Sequence, residues 1–404
     1  MSTAAINVQQ CRDRAGAHAD IHAELSLAGS DLTRPTNPRY LSLDVWRGVA
    51  CLMVVVAHSS TYLYSGVDAV ASNPVGLSNR IIGILGSSEL GVIAFFVISG
   101  YCIAATCDST RRRPDGLRQY FYRRIRRIFP PYWVALIATG LFVAIVAKVF
   151  GAALLTDAWH PIPSPTTLGA FQWLGNVFLI EGWRSRVFGG TYLFQLGPAW
   201  TLCYEEQFYA LCGLVLLFAP RRFFSGIVAI SLLTLGIILT KRSIPGLFFD
   251  GNWLVFAAGV LVYFQVNYAT RVHQCILTVG LVAVAAACVA KYSLSAWQSP
   301  IFFLGPAVAL AFLALHPFDR WIASSRILRP LKFCGVICYS LYLVHWPIVK
   351  FISHSLWLMG MRSASGTLLV TIPLCGAASL LVAWGFHVVV ERRFLNRKLP
   401  AKVS

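Results

Sequence analysis

Ten separate apolar runs, each about 18 to 24 residues long, occupy most of this 404-residue chain. A helix of that length spans roughly 30 Å of hydrocarbon, so the pattern predicts an all-α, polytopic membrane bundle. The expected spans are 45–64, 81–105, 129–149, 198–219, 223–240, 252–268, 274–291, 300–316, 333–357 and 368–390. One further segment, 168–182, is apolar but short and ends in Glu181-Gly182-Trp183-Arg184. It reads as interfacial or re-entrant, outside the count of ten.

Composition excludes several function classes. Hydrophobic residues make up 57% of the chain and charged residues 12%, whereas a soluble domain carries about 25% charge. The net charge of +18 could point to a nucleic-acid binder. The basic residues, however, flank apolar runs instead of clustering with aromatics on a soluble domain. Most of the eleven cysteines lie within the apolar runs and form neither a CxxC nor a ligand cluster. They behave as small buried hydrophobes.

Lysine and arginine accumulate on the cytoplasmic side of membrane proteins. With both termini inside, 25 of the 34 fall in cytoplasmic segments, which sets the expected orientation. Residues 1–40 are expected to form a flexible cytoplasmic tail, 41–395 the membrane domain and 396–404 a short basic tail. The first apolar run starts too late and is too long for the core of a cleaved leader. The longest outer loop, about 150–197, carries Pro161, Pro163, Pro165 and many aromatics, and is placed to cover an extracytoplasmic entrance.

Ionisable groups at membrane depth are costly and usually functional. Several runs carry them, notably as His58, Glu89, Glu205, Glu206 and His345. At the rise of an α-helix, His58 lies roughly 20 Å and His345 roughly 18 Å from the inner ends of their spans. Glu205 and Glu89 descend about 10 to 12 Å from the outer side by the same measure. Each could be satisfied singly by a neighbouring helix; four at one level favour a shared site. Helical spacing supplies their depth and leaves their azimuth open.

Arginine chemistry adds a second element. Arg111-Arg112-Arg113 are accounted for by topology alone. Arg124 and Arg127 are three apart on the helix that runs into Phe129-Pro130-Pro131-Tyr132-Trp133, and so share a face. Guanidinium forks at a membrane rim suit phosphate oxygens. Arg47 opens the first span eleven residues before His58, about three turns away on the same helix. A phosphate handle near the cytoplasm and a base near mid-membrane fit a long donor molecule.

These residues carry a resemblance. Leu43-Asp44-Val45-Trp46-Arg47-Gly48 with His58 is similar to the Arg-x10-His signature of the acyltransferase-3 family of integral membrane O-acyltransferases. The resemblance continues through Phe95-Phe96-Val97-Ile98-Ser99-Gly100-Tyr101, the Arg124/Arg127 pair and Trp200-Thr201-Leu202-Cys203-Tyr204-Glu205-Glu206. It ends with Tyr339-Ser340-Leu341-Tyr342-Leu343-Val344-His345-Trp346-Pro347 and Glu391-Arg392-Arg393. Each motif is weak alone; five in order over residues 40–395 are specific. Thr201 and Cys203 depart from the family's Trp-Ser-Leu-Ser type of run, and the esterase-like domain that follows the spans in some members is not expected here.

The resemblance implies transfer of an acyl group, usually acetyl, from cytoplasmic acyl-CoA to a sugar hydroxyl of a surface or exported glycan, in a bacterial inner membrane. It implies no metal. His58 is then the candidate general base or acyl relay, with Glu205 and His345 beside it. Glu205 would orient the imidazole as a triad carboxylate does. Arg47, Arg124 and Arg127 would hold the coenzyme A phosphates, and Ser99 would line the donor channel. Gly91 and Gly100 would permit close helix approach, and a small-residue packing role is open for Ser99 as well. The competing reading is a transporter or flippase of a lipid-linked sugar that uses the same His and Glu residues as a proton relay. Its usual marks, internal repeats and paired broken helices, are not evident.

Overall fold

The computed structural model describes residues 40–65, 76–86, 89–113, 116–151, 153–156, 162–240, 242, 244–291 and 301–395. Apart from Tyr40, the expected tails at 1–40 and 396–404 lie outside these residues.

The described residues of the ten apolar runs are mainly helical. In chain order the helices are α1 (Leu43–Ser65), α2 (Leu77–Leu85), α3 (Glu89–Thr110), α4 (Gly116–Phe150), α5 (Ala170–Val177), α6 (Glu181–Phe188), α7 (Trp200–Phe218) and α8 (Phe223–Leu239). They continue as α9 (Asn252–Asn267), α10 (Arg271–Lys291), α11 (Ile301–Leu315), α12 (Arg329–Val336), α13 (Cys338–Leu358) and the composite α14 (Ala364–Phe394). No strand occurs among the described residues. Five helices there are long and apolar enough to cross a membrane, and the bent α12–α13 pair makes a sixth. Asn252–Asn267 and Arg271–Ala286 are shorter apolar helices.

The outward faces are those of a bundle that sits in lipid. Val228, Leu232, Leu235 and Leu239 of α8 are exposed, as are Ile137, Leu141, Ile145 and Val149 of α4. A soluble fold would bury such stripes, because contiguous exposed apolar surface of this extent is not tolerated in water.

Close backbone approach at two crossings sets the inner framework. A Cβ on Gly48 of α1 would lie 1.9 Å from the Leu331 carbonyl oxygen, and one on Gly335 of α12 would lie 1.6 Å from that of Asp44. The α3–α9 crossing repeats the device: a Cβ on Gly100 would meet Phe256 O at 2.0 Å, and one on Gly259 would meet Val97 O at 1.9 Å. Small residues at both contacts let dispersion act over a large area, which is the main adhesive between helices in lipid. The start of α1 is held separately, because Leu41 N and Ser42 N each donate to the Asp319 carboxylate at 2.8 Å. A carboxylate there satisfies amides that a helix N-terminus otherwise leaves open.

Two features depart from a stack of straight spans. The ninth run breaks at Ile337, where α12 and α13 meet at 81°. His345 therefore sits about 10 Å along α13 instead of roughly 18 Å along one straight helix. Between α4 and α7 the chain forms two short helices, α5 and α6, which fold back into the bundle. Tyr132 Oη donates to Asn176 O at 2.7 Å, and Trp133 Nε1 donates to Val177 O at 2.9 Å. Both partners are near the middle of α4, so the segment expected to be interfacial or re-entrant is docked well inside the end of that helix. Buried Glu181 and Arg184 lock it: Arg184 donates to the carboxylate at 2.7 and 2.9 Å, and Leu193 N donates to Glu181 Oε1 at 2.9 Å.

Candidate active site

One cavity of about 820 Å³ opens between α1, α3, α4, α7, α13 and the re-entrant segment. Its volume falls within the range of small-molecule sites, roughly 300–1,000 Å³. Arg47, His58, Ser99, Arg124, Arg127 and Glu205 all line it. His345 is buried directly behind His58. Six of the seven candidates thus meet in one space and the seventh touches it. Glu89 opens α3, and its side chain lies outside the described residues.

The two imidazoles form the centre. His58 Nδ1 lies 3.1 Å from His345 Nε2, with the rings nearly parallel at 15°. His345 Nδ1 faces two carbonyl oxygens, Leu341 O at 2.9 Å and Tyr342 O at 2.8 Å. Carbonyls only accept, so Nδ1 of His345 carries the proton and, in the neutral ring, its Nε2 is the acceptor. His58 Nδ1 must then be the donor, which leaves the lone pair of His58 on Nε2. The hydrogen-bond network assigns the tautomer here. Trp346 meets the His58 ring edge-on at 4.9 Å between centroids. Gly197 backs Trp346, since a Cβ there would lie 2.7 Å from the indole.

Glu205 is engaged elsewhere. Tyr209 Oη donates to Glu205 Oε2 at 3.0 Å and lies 3.3 Å from Ser99 Oγ. The Arg124 guanidinium sits 4.7 Å over the Tyr209 ring and donates to Thr106 Oγ1 at 3.1 Å. Arg124, Tyr209 and Glu205 therefore form a connected polar wall. His58 Nδ1 donates instead to His345 Nε2, which occupies the position at which a triad carboxylate would be expected. Arg47 donates to Asp44 Oδ1 at 2.9 Å, and its Nη2 lies 2.9 Å from Cys102 Sγ.

The basic residues divide as their spacing suggests. Arg124 and Arg127 face the cavity, while Arg123 reaches back to Gln119 and Arg126 donates to Arg393 O. Arg111 and Arg112 both pair with buried Asp108, which also accepts from Tyr263 and Tyr268. That cluster staples the C-terminal ends of α3 and α9.

Several contributors escape a reading of spacing alone. Tyr342 Oη donates to Pro198 O and lies 2.9 Å from Thr201 Oγ1, so the hydroxyl of the altered motif is in place at Thr201. Cys203 is buried, close to where a Cβ on Gly182 would lie. Lys350, buried in α13, sets its Nζ 4.6 Å over the Trp346 ring. A lysine inside an apolar run is itself a signal, and the sequence reading did not use it. The nine cysteines with described side chains are free thiols, and no group of three potential metal ligands occurs among the described residues.

Comparison with known proteins rests on the same stretch of chain. The sequence model of the acyltransferase domain matches residues 40–388. The chain belongs to the acyltransferase-3 family. Among curated relatives, it is 23% identical over 352 residues to O-acetyltransferase OatA of Staphylococcus aureus strain NCTC 8325 / PS 47. The same holds for OatA of strain MRSA252. In both cases the match covers 80% of this chain and 53% of the relative, so the chain spans about half the length of the curated relatives it matches. No solved structure matches it.

Proposed function

We propose that this membrane acyltransferase moves an acetyl group from acetyl-CoA, held at the cytoplasmic end of the cavity, to a glycan hydroxyl presented from the outer side. The setting is a bacterial inner membrane crossed ten times, with both termini cytoplasmic, as the lysine and arginine distribution favours. The family membership and the O-acetyltransferase relatives support the reaction class. The observation that carries the reading is the His345–His58 hydrogen bond, whose tautomer leaves a basic Nε2 on a residue that lines the cavity.

In this mechanism His58 Nε2 takes the proton from the acceptor hydroxyl as its oxygen attacks the thioester carbonyl carbon. A C–O bond forms and the C–S bond breaks. The proton then passes from His58 to the departing coenzyme A sulfur. While His58 is protonated, its Nδ1–H bond to His345 becomes charge-assisted and stronger. Arg47, Arg124 and Arg127 neutralise the phosphates of the donor. Glu205 acts through Tyr209 to hold the aromatic face under Arg124.

The test is coenzyme A release and acetyl transfer by purified protein supplied with radiolabelled acetyl-CoA and a total glycan extract. Wild type should turn over, and His58→Ala should lose about 10²- to 10⁴-fold while remaining monodisperse in detergent. Near-normal turnover by the variant removes His58 from the chemistry. No acetyl-CoA turnover by wild type refutes the reaction, and proton-coupled movement of a lipid-linked sugar in its place would favour a flippase.

A further inference from the structure

The outer half of the cavity has a chemistry distinct from the donor half. It is built by the re-entrant segment and by the turn before α9, and its side chains include Tyr192, Phe194, Trp200 and Pro245. Against this mostly aromatic wall stands one cation, Arg186. On α6 it lies four residues after Gly182, which also lines the cavity, so both belong to the same helical face. Gly182 is pressed against the 244–250 turn: a Cβ on Gly246 would lie 2.3 Å from Gly182 O.

The neighbouring carboxylates are already engaged. Glu181 is paired with Arg184 and the Leu193 amide. Asp250 accepts from Tyr204 Oη, Gly246 N and Asn252 Nδ2. Arg186 enters no ion pair among the described residues and is exposed. An unpaired guanidinium fork in a cavity it shares with aromatic side chains, on a helix pinned by a buried ion pair, is arranged to receive a planar anion attached to a flat, partly apolar body. The arginines of the donor half are on α1 and α4. Arg186 is carried instead by α6, in the segment between α4 and α7.

We propose that this half of the cavity is an acceptor subsite for an anionic sugar, with Arg186 gripping a carboxylate or phosphate while Tyr192, Phe194 and Trp200 cover the ring. The proposal rests on the acetyl-transfer reading above and narrows its acceptor class. Full-length protein in detergent, at low salt, should bind trigalacturonic acid at least about tenfold tighter than the methyl ester of the same trisaccharide, read by isothermal titration. Glucose 6-phosphate against glucose provides the phosphate arm, so the two arms tell which anion the subsite takes. Arg186→Gln should erase the preference in whichever arm shows it, and Arg186→Lys should keep part of it, since charge without the fork remains. Unchanged melting temperature of both variants guards against misfolding.

Equal binding of the charged and neutral partners in both arms overturns the proposal, as does a preference that survives Arg186→Gln. Release of coenzyme A from acetyl-CoA by wild-type protein in the same preparation reports the underlying reaction. If that release occurs and the charge preference does not, only the acceptor class falls. Absence of release removes the reaction itself.

Discussion

His345→Ala isolates the feature on which the catalytic reading depends. The substitution removes the acceptor 3.1 Å from the Nδ1–H of His58, a half-buried residue that lines the cavity. Leaving such a group unsatisfied costs about 1–3 kcal/mol. His58 can recover that energy by rotating or by moving its proton to Nε2, and either change withdraws the basic nitrogen from the cavity. Converted at 1.36 kcal/mol per decade, the loss in kcat is about 5- to 150-fold. His345→Gln offers an amide oxygen to the same N–H and should recover most of the rate. The assay is acetyl-CoA turnover across donor concentrations, with kcat and KM resolved separately. Because His345 acts through His58, KM for acetyl-CoA should stay near wild type in both variants. A kcat for His345→Ala within twofold of wild type, or an effect confined to KM, refutes the tautomer argument and returns His345 to core packing.

Arg124→Lys and Arg127→Lys keep charge and topology but lose the planar fork, so each should raise KM for acetyl-CoA several-fold with smaller change in kcat; unaltered kinetics in both would reduce the pair to topology signals. Gly335→Ala puts a Cβ 1.6 Å from the Asp44 carbonyl oxygen, and separating α1 from α12 should cost about 1–3 kcal/mol, read as a lowered melting temperature and misplacement of Arg47. Gly236→Ala, where a Cβ meets nothing within 4 Å, is the matched control and should melt like wild type. Glu181→Gln breaks the buried pair with Arg184 and should make the 162–199 segment sensitive to protease while the helical content stays as it was; continued resistance would show that Asn176 and Tyr132 suffice to hold it.

The bundle was legible because bilayer thickness imposes one length on every crossing helix. The cavity was half legible. Residue spacing supplied the depth of His58, Glu205 and His345, but depth along an axis does not contain azimuth, and azimuth decides which side chains meet. Thus His345, not Glu205, reached His58. The Tyr209–Glu205 bond was within reach of sequence reasoning, since positions four apart on a helix share a face. So was the Glu181–Arg184 pair, at a spacing of three. The 81° break at Ile337 was not: the prolines of that region are Pro330 and Pro347, several residues from the bend. It arises where Gly335 is driven against the Asp44 backbone, a tertiary contact with no local signature.

The re-entrant segment also bears on how an acyl group could pass between compartments. Arg124, on the donor wall, and Tyr132, which anchors Asn176, are eight residues apart on α4, or about 12 Å. The re-entrant chain therefore comes within about two helical turns of Arg124, far less than the roughly 30 Å of a hydrocarbon core. Trp346 completes the link, packed between His58 and Gly197 of that same segment. With donor and acceptor walls this close to one imidazole, the proposed reaction requires no covalent carrier to ferry the acetyl group through the membrane. Direct transfer predicts that labelled acetyl-CoA without acceptor leaves no label on the protein after rapid gel filtration at neutral pH, whereas a relay through His58 or a hydroxyl would leave one equivalent. Gel filtration of wild type with and without glycan distinguishes the two, and stoichiometric labelling in the absence of acceptor would overturn the direct route.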